Sequence, residues 1–225
     1  MELVASEIAK LPGVATREYG SGELLRPAER LKQLQICIRK GAIALHVAVG
    51  RAPHAILEVC GPGWLLSPPL WEPTPTPEPR HAAAVLPTTT LELSAEVFSR
   101  HLAAHPPLAS AVASLDAHQY ALALDHLAML TVRDPFRRVS EALLLLLERL
   151  GSGPDPTASG RLEVSQQLIA AFANLSRQTT NKQLRRLARA GHVGLERGVV
   201  QVRNPVLLRE VAAGTLPHAS RTSTA

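Results

Sequence analysis

The sequence is poor in cysteine, in aromatic residues and in long apolar runs, and each shortage excludes a class of protein. Its 225 residues include two cysteines, too few for a disulfide framework. Aromatic residues make up 3% of the chain, so Leu, Ala and Val must build the core. Apolar runs such as Ala142 to Leu147 are far shorter than the roughly 18 residues that span a bilayer. Because the N-terminus also lacks a basic start and apolar run, we expect a cytoplasmic protein with no membrane partner.

Positive charge is concentrated in the C-terminal part of the chain. Residues 161–225 carry ten Lys and Arg against three Asp and Glu, whereas residues 1–160 carry fourteen against sixteen. A basic region on a slightly acidic body is typical of a module that approaches phosphates. A solvated basic surface would show the same balance, so charge alone does not decide between the two.

The N-terminal region, residues 1–105, has the pattern of a β-rich domain. Short apolar stretches lie between glycine and proline turns, which predicts strands at Gln33–Arg39, Ala42–Val49 and Ala55–Cys60. Strands of this length and spacing favour an antiparallel roll or barrel. Six prolines in residues 67–79 predict a stiff surface loop.

Residues 106–133 are predicted to form one long helix with two apolar faces. The first face is a seam interrupted by Gln119 and His126. Its apolar members are Leu108, Val112, Leu115, Leu122 and Met129. The second face comprises Ala113, Ala117, Tyr120, Leu124 and Leu127. Two faces need two partners: the β-roll on one side and the same helix of a second subunit on the other, which predicts a homodimer. A fully internal core helix is the alternative. His126 is expected to fix register, although a ligand or pH-sensing role is open.

Residues 134–225 contain the segment that points to function. A helix is predicted from Asp134-Pro135 to Leu150, and the glycine- and proline-rich residues 151–160 are predicted to hold no regular element. Ser165 can cap a helix that runs to Ala173, and Ser176 can cap the next, which runs to Ala190. Asn174 between them tolerates a left-handed backbone. This succession predicts a helix-turn-helix.

The second helix of this motif carries the predicted DNA-contacting residues. Leu184 and Leu187 face inward, while the opposite face is polar and basic. Side chains of these types suit base edges in a major groove. A β-hairpin with Arg197 at its tip follows and is predicted to be a wing, with Arg185, Arg186 and Arg197 on phosphates. The predicted contact set is Ser176, Arg177, Gln178, Asn181, Lys182, Arg185, Arg186 and Arg197; Arg189 shares the outer face.

The chain resembles the cyclic-AMP receptor and fumarate-nitrate regulator (Crp/Fnr) family. The likeness rests on Ser176-Arg-Gln-Thr with its spaced leucines, on Gly191-His-Val, and on the glycine turns around Tyr19-Gly-Ser-Gly and Leu57-Glu-Val-Cys-Gly-Pro-Gly-Trp. It implies an α+β fold with a cupin-like, cyclic-nucleotide-binding-like β-roll, a long dimerisation helix and a winged helix-turn-helix. It also implies a homodimer on inverted-repeat double-stranded DNA, with RNA polymerase as a further partner.

The resemblance also assigns roles to individual residues, and it shows where this sequence departs from the family's pattern. It places Arg177, Gln178 and Lys182 at base-reading positions, and Gln178 stands where the family usually has Glu, so a different base preference is expected. The family's nucleotide binders carry a Gly-Glu pair and then Arg-Ser. Here Trp64-Leu-Leu-Ser follows Gly63, Arg80-His81 is the remaining phosphate candidate, and Tyr120-Ala121 replaces a hydroxyl pair on the helix. Cyclic AMP is therefore not expected as the effector.

Other cofactors are less constrained by the sequence. Two cysteines are too few for the four ligands of an iron–sulfur cluster. Haem stays open because the chain has nine histidines, although scattered histidines are more often structural. They include His46, His54, His81 and His126. The sequence does not identify an effector, and it does not show whether the protein requires one.

Two other function classes are less consistent with the sequence. A ligand-binding or protein-interaction module could carry a helix-turn-helix that does not engage DNA, but the basic C-terminal region argues against it. An enzyme is not expected, because the sequence contains no phosphate loop, no metal-spaced His/Cys cluster and no activated serine motif.

Overall fold

The computed structural model describes residues 2–25, 31–49, 52–68, 80–150 and 160–215. The chain divides into two compact units, Met1–His126 and Leu127–Ala225. The division falls inside the long helix predicted from the sequence.

The first unit is a β-roll flanked by helices. Its elements, in chain order, are α1 (Glu2–Ile8), β1 (Ala15–Tyr19), β2 (Leu34–Lys40), β3 (Ile43–Val49), β4 (Ala52–Cys60), β5 (Leu65–Leu66), β6 (Arg80–Ala84), β7 (Thr88–Ser94), α2 (Ala95–Ala104) and the greater part of α3 (Pro106–Thr131). The three strands predicted from hydrophobic pattern correspond to β2, β3 and β4. Helix α1 was not predicted, because seven residues give too short a pattern to show a helical period.

The strands form two antiparallel sheets. One has the order β1-β7-β2-β5 and the other β4-β3-β6. One face of the larger sheet packs with the smaller sheet in a cluster that contains Ile36, Ile43 and Trp64. The opposite face, with Cys37 and Leu91, packs against α1, α2 and the start of α3. The predicted antiparallel roll is therefore confirmed.

The turn between β2 and β3 requires glycine at position 41. Gly41 has φ +87, and a Cβ built there would lie 2.3 Å from the backbone oxygen of Pro87 and 2.6 Å from Cα of Thr88. Both of these atoms are backbone, so they cannot move aside as the end of a flexible side chain could; the third near neighbour is Oγ1 of Thr88. Glycine is needed here for both backbone conformation and space.

Replacing Gly41 by alanine is expected to lower the free energy of unfolding by about 2–4 kcal/mol, the sum of left-handed strain and overpacking. Urea unfolding followed by circular dichroism measures the change. Gly22→Ala is the matched control, since Gly22 has φ +86 and nothing within 4 Å of its Cβ position. Equal losses in the two variants would contradict the steric argument.

Helix α3 lies with its predicted seam against the β-roll. Leu108, Val112 and Leu115 are buried in the core cluster of the larger sheet, and Leu122 is buried in the cluster between the sheets. Met129, beyond the division between the units, is buried as well. The heptad-like seam is therefore a contact within one chain, and the alternative of a fully internal helix is wrong because the second face is exposed.

The two polar residues of the seam bond to the backbone of the roll. His126 is 2% exposed, and its Nδ1 atom lies 2.9 Å from the carbonyl oxygen of Leu57. With its amide oriented so that the oxygen faces the N–H of Leu65, Gln119 accepts from that N–H at 2.8 Å and donates to the carbonyl oxygen of Leu65 at 3.3 Å. These bonds fix the register of the helix on its own β-roll, in place of a second helix.

The second unit is built around helix α4. Its elements are α4 (Pro135–Leu150), β8 (Gly160–Leu162), α5 (Gln166–Phe172), α6 (Arg177–Arg189), β9 (Val193–Glu196), β10 (Val199–Val202) and α7 (Pro205–Ala213). Asp134 accepts from the N–H of Phe136 at 2.9 Å, as a helix start requires. Strand β8 corrects the prediction that residues 151–160 hold no regular element, since Gly160 begins it; residues 151–159 lie outside the described residues. So does the predicted proline loop beyond Pro68.

The expectations about membrane spans and about the cysteines can be compared with the described part of the chain. No helix there has both the length and the apolar character that crossing a bilayer requires. The cysteines Cys37 and Cys60 are both buried and do not form a disulfide with each other. Burial raises the pKa of the Cys37 thiol to about 11, which keeps it protonated and unreactive near neutral pH.

Candidate nucleic-acid interface

The helix-turn-helix is held by two capping serines and a left-handed turn. Ser165 accepts from the N–H of Leu168 at 3.0 Å, and Ser176 accepts from the N–H of Thr179 at 3.1 Å. Asn174 has φ 48. All three roles were predicted from the sequence, and the structure confirms them. The two caps fix where α5 and α6 begin, and the cap at Ser176 thereby orients the first turn of α6.

Helix α6 separates a buried face from an exposed basic face. Leu184 and Leu187 are fully buried, as predicted. Asn181 is half-buried, and its Oδ1 atom is buried without a hydrogen-bond partner in the described part of the structure. The predicted contact residues that are exposed are Ser176, Arg177, Gln178, Lys182 and Arg185, together with Arg189.

Arg186 differs from the other cations of α6. It is half-buried, and its guanidinium carbon lies 4.0 Å from the centroid of the Phe136 ring of α4. At the other end of α4, the guanidinium of Arg149 lies 5.4 Å from the ring centroid of Phe172 of α5. Each helix of the motif is thus joined to α4 by one cation–π contact.

The hairpin that follows α6 is part of a three-stranded antiparallel sheet, ordered β8-β10-β9. Its tip holds Gly198 with φ +75, and Arg197 beside it is exposed, as the predicted wing requires. Arg161 of β8 lies 3.1 Å from Glu163, which follows the strand, and 3.7 Å from Glu196 of β9, so one cation forms ion pairs with two exposed carboxylates.

Sequence reasoning missed one exposed cation on the wing. Arg203 follows β10, and its guanidinium lies 3.6 Å from the position that a Cβ would take at Gly194 of β9. A glycine facing an arginine across a hairpin was the available signal, because it leaves the planar group room to lie on the strand.

The interior of the β-roll was predicted to lack a cyclic-nucleotide site. Trp64, Leu65 and Leu66, which follow Gly63, are all buried in apolar core. The face of the larger sheet that carries Tyr19 also holds the Glu92 carboxylate, which is 3% exposed. Glu92 accepts from the Tyr19 hydroxyl at 2.6 Å and pairs with Arg17 at 3.2 Å. Burial and the bond to Glu92 raise the pKa of Tyr19, so the phenol stays protonated.

The four histidines considered above as possible haem ligands, His46, His54, His81 and His126, all belong to the first unit. The rings of His46 and His81 stack at 5.1 Å between centroids, on adjacent positions of β3 and β6. His54 lies on β4, and His126 is bonded to the roll as described above. In the described ranges, no group of three or more His, Cys, Asp or Glu side chains is placed to hold a metal ion.

These features define a class of protein. A winged helix-turn-helix with a basic outer face is joined to an antiparallel β-roll through a long helix. Residues 137–211 match the sequence profile of the Crp-like helix-turn-helix domain. The chain is 35% identical, over 133 residues, to the cyclic AMP receptor protein of Thermus thermophilus. That similarity covers 59% of this chain and 58% of the relative's own length.

Solved structures share the fold over most of the chain. FixK2 from Bradyrhizobium japonicum has a TM-score of 0.70 at 19% identity, covering 88% of this chain and 96% of that one. A Thermus thermophilus transcriptional regulator of the CRP/FNR family has a TM-score of 0.66 at 19% identity, covering 88% and 98%. The resemblance to the Crp/Fnr family is thereby confirmed, and the C-terminal unit contains a Crp-like helix-turn-helix domain.

Proposed function

We propose that this protein is a transcription regulator that binds an inverted-repeat DNA site as a homodimer, without requiring cyclic AMP. The observation that carries the proposal is helix α6. Its first turns expose Arg177, Gln178 and Lys182 above a fully buried Leu184 and Leu187. Guanidinium and amide groups can form bidentate hydrogen bonds with guanine and adenine edges, which is how a major groove is read. RNA polymerase is the proposed second partner.

The exposed face of α3 supports the dimer. Tyr120, Leu124 and Leu127 are 67%, 46% and 59% exposed, and they follow one another at spacings of four and three residues. Ala113 and Ala117 continue the same stripe toward the start of the helix and are also exposed. A second copy of α3 is the proposed occupant, because spacing of this kind matches itself across a two-fold axis.

A dimer of this kind determines the geometry of its site. Two reading helices related by a two-fold axis enter successive major grooves about 34 Å apart. The wing then brings Arg197 and Arg203 to the backbone on either side. Exposed cations on phosphates make affinity fall steeply as salt is raised.

The β-roll interior supports independence from cyclic AMP. On the inner face of the sheet, the buried Glu92 carboxylate already pairs with Arg17 and accepts from Tyr19, so the Arg17 guanidinium is engaged by a carboxylate in the place of a phosphate. Trp64 and Leu66 fill the space that follows Gly63. Tyr120, at the helix position where the family's hydroxyl pair is expected, is exposed and is not directed into the roll.

Selection of genomic fragments by the purified protein tests the proposal, with and without cyclic AMP. We expect enrichment of one palindromic sequence, with equal occupancy in both conditions. Enrichment only with cyclic AMP would contradict the proposed independence. Absence of enrichment in either condition, while the folded protein elutes as a dimer, would favour an interaction module whose helix-turn-helix does not read DNA.

A further inference from the structure

Arg186 of α6 differs from its neighbour Arg185 in environment. Arg185 is exposed on the outer face, whereas Arg186 is half-buried with its guanidinium 4.0 Å from the ring centroid of Phe136. Phe136 is itself buried. A guanidinium stacked on an aromatic face gains from both the ring's charge distribution and the contact area, and stacking limits its freedom to follow a phosphate.

Phe136 is connected by hydrogen bonds to the segment that precedes α4. Its N–H donates to Asp134 at 2.9 Å, which caps the helix. Arg138, two residues later, donates from Nε to the carbonyl oxygen of Val132 at 2.6 Å. The start of α4 is therefore fixed to residues 132–134. Because the Phe136 ring belongs to this fixed start, its contact with Arg186 links α6 to the same segment.

Helix α4 contacts the reading motif at its other end through a second cation–π pair. Arg149 is 3% exposed, donates to the carbonyl oxygen of Leu145 at 3.0 Å, and lies over Phe172 of α5. The two contacts lie at opposite ends of α4, one to each helix of the motif. Together they fix the orientation of the helix-turn-helix on α4, whereas a single contact would allow the motif to rotate about it.

We infer that Arg186 is a positioning residue, which orients helix α6 through the Phe136 ring and contributes no phosphate contact of its own. The inference rests on the proposed function, since it concerns how the reading helix is held for DNA. It also assigns Arg185 and Arg186, adjacent in sequence, to different tasks: one meets the DNA backbone and the other holds the helix.

Three variants separate a positioning role from a phosphate contact: Arg186→Ala, Arg186→Met and, as the matched control, Arg185→Ala. Methionine keeps an adaptable side chain whose sulfur contacts aromatic rings favourably, but carries no charge. Affinity for the enriched palindrome and for unrelated DNA is measured from 50 to about 200 mM salt, the range over which phosphate contacts are most apparent.

We expect Arg186→Ala to bind the palindrome about tenfold more weakly with an unchanged salt dependence, a loss of the size found for coupling residues. Arg186→Met should recover affinity to within about threefold of the parent protein, as volume-conserving replacements usually do. Arg185→Ala should reduce the slope of log affinity against log salt by about 0.9 for each protomer. If Arg186→Ala and Arg186→Met both reduce the slope as Arg185→Ala does, the inference is wrong.

A measurement without DNA keeps this inference distinct from the proposed function. Amide hydrogen exchange of α6 in the free protein should be faster in Arg186→Ala than in the parent and near parental in Arg186→Met. Unchanged exchange in Arg186→Ala would overturn the positioning role. If the parent protein binds no DNA, the proposed function fails, and exchange alone decides the role of Arg186.

Discussion

Replacing Leu124 by glutamate is expected to convert the dimer to a monomer and to weaken binding to the palindrome by at least 100-fold. The substitution places a charge at the centre of the exposed stripe on α3, where each copy would have to bury it against the other. A monomer then engages one half-site, and the gain from simultaneous engagement, on the order of 10²–10⁴, is lost.

Sedimentation velocity and fluorescence anisotropy measure the two effects. Ser114→Glu is the matched control, because Ser114 is exposed on the same helix but away from the stripe, and bonds to the carbonyl oxygen of Ser110 at 2.9 Å. The control should remain dimeric with parental affinity. A dimeric Leu124→Glu variant with undiminished binding would show that the copies meet through another surface.

Replacing Arg177 by alanine is expected to abolish recognition of the palindrome while leaving binding to unrelated DNA nearly unchanged. A bidentate contact with a base contributes about 1–3 kcal/mol of discrimination, and two half-sites double that value, which corresponds to roughly 30-fold to 10⁴-fold. Because Arg177 is proposed to contact base edges, its removal should reduce affinity for the palindrome and not affinity for unrelated DNA.

Anisotropy titrations on the palindrome and on scrambled DNA measure the ratio of the two affinities. Arg197→Ala on the wing provides the contrast, since loss of a phosphate contact should weaken binding to both DNAs alike. Gln178→Glu should shift the preferred base at one position of each half-site toward cytosine, because a carboxylate can only accept hydrogen bonds. Equal loss on both DNAs in Arg177→Ala would place that residue on the backbone.

Much of the fold follows from local patterns in the sequence. The strands β2, β3 and β4 have continuous apolar stretches between glycine turns, and the capping roles of Ser165 and Ser176 depend on residues three positions away. The left-handed backbone at Asn174 is also a local matter. Features set by near neighbours could therefore be predicted to within a few residues.

Elements that depend on distant partners were harder to find. Strand β8 has three residues and exists because it pairs with β10, some forty positions later in the chain. Helix α7 begins after the cap residue Asn204 and is followed by Gly214 with φ +76, and the sequence analysis made no prediction for it. Short elements are stabilised mainly by tertiary packing, which a single sequence does not show.

The roles of the two α3 faces were beyond the sequence for a different reason. Both faces repeat with similar spacing, so periodicity predicts that each face is buried. It does not tell which face meets the β-roll and which meets a second subunit. Hydrogen bonds from Gln119 and His126 to backbone atoms of the roll resolve the matter for one face. Likewise, the basic character of α6 was evident, whereas the stacking of Arg186 on Phe136 depends on the packing of α4.

The bonds from Gln119 and His126 end on main-chain atoms of Leu65 and Leu57, so they depend on the course of the backbone and not on the side chains at those positions. Substitutions of side chains inside the roll can therefore accumulate without breaking the hydrogen bonds that hold α3 on it. The attachment between the β-roll and α3 is therefore independent of which side chains fill the interior of the roll.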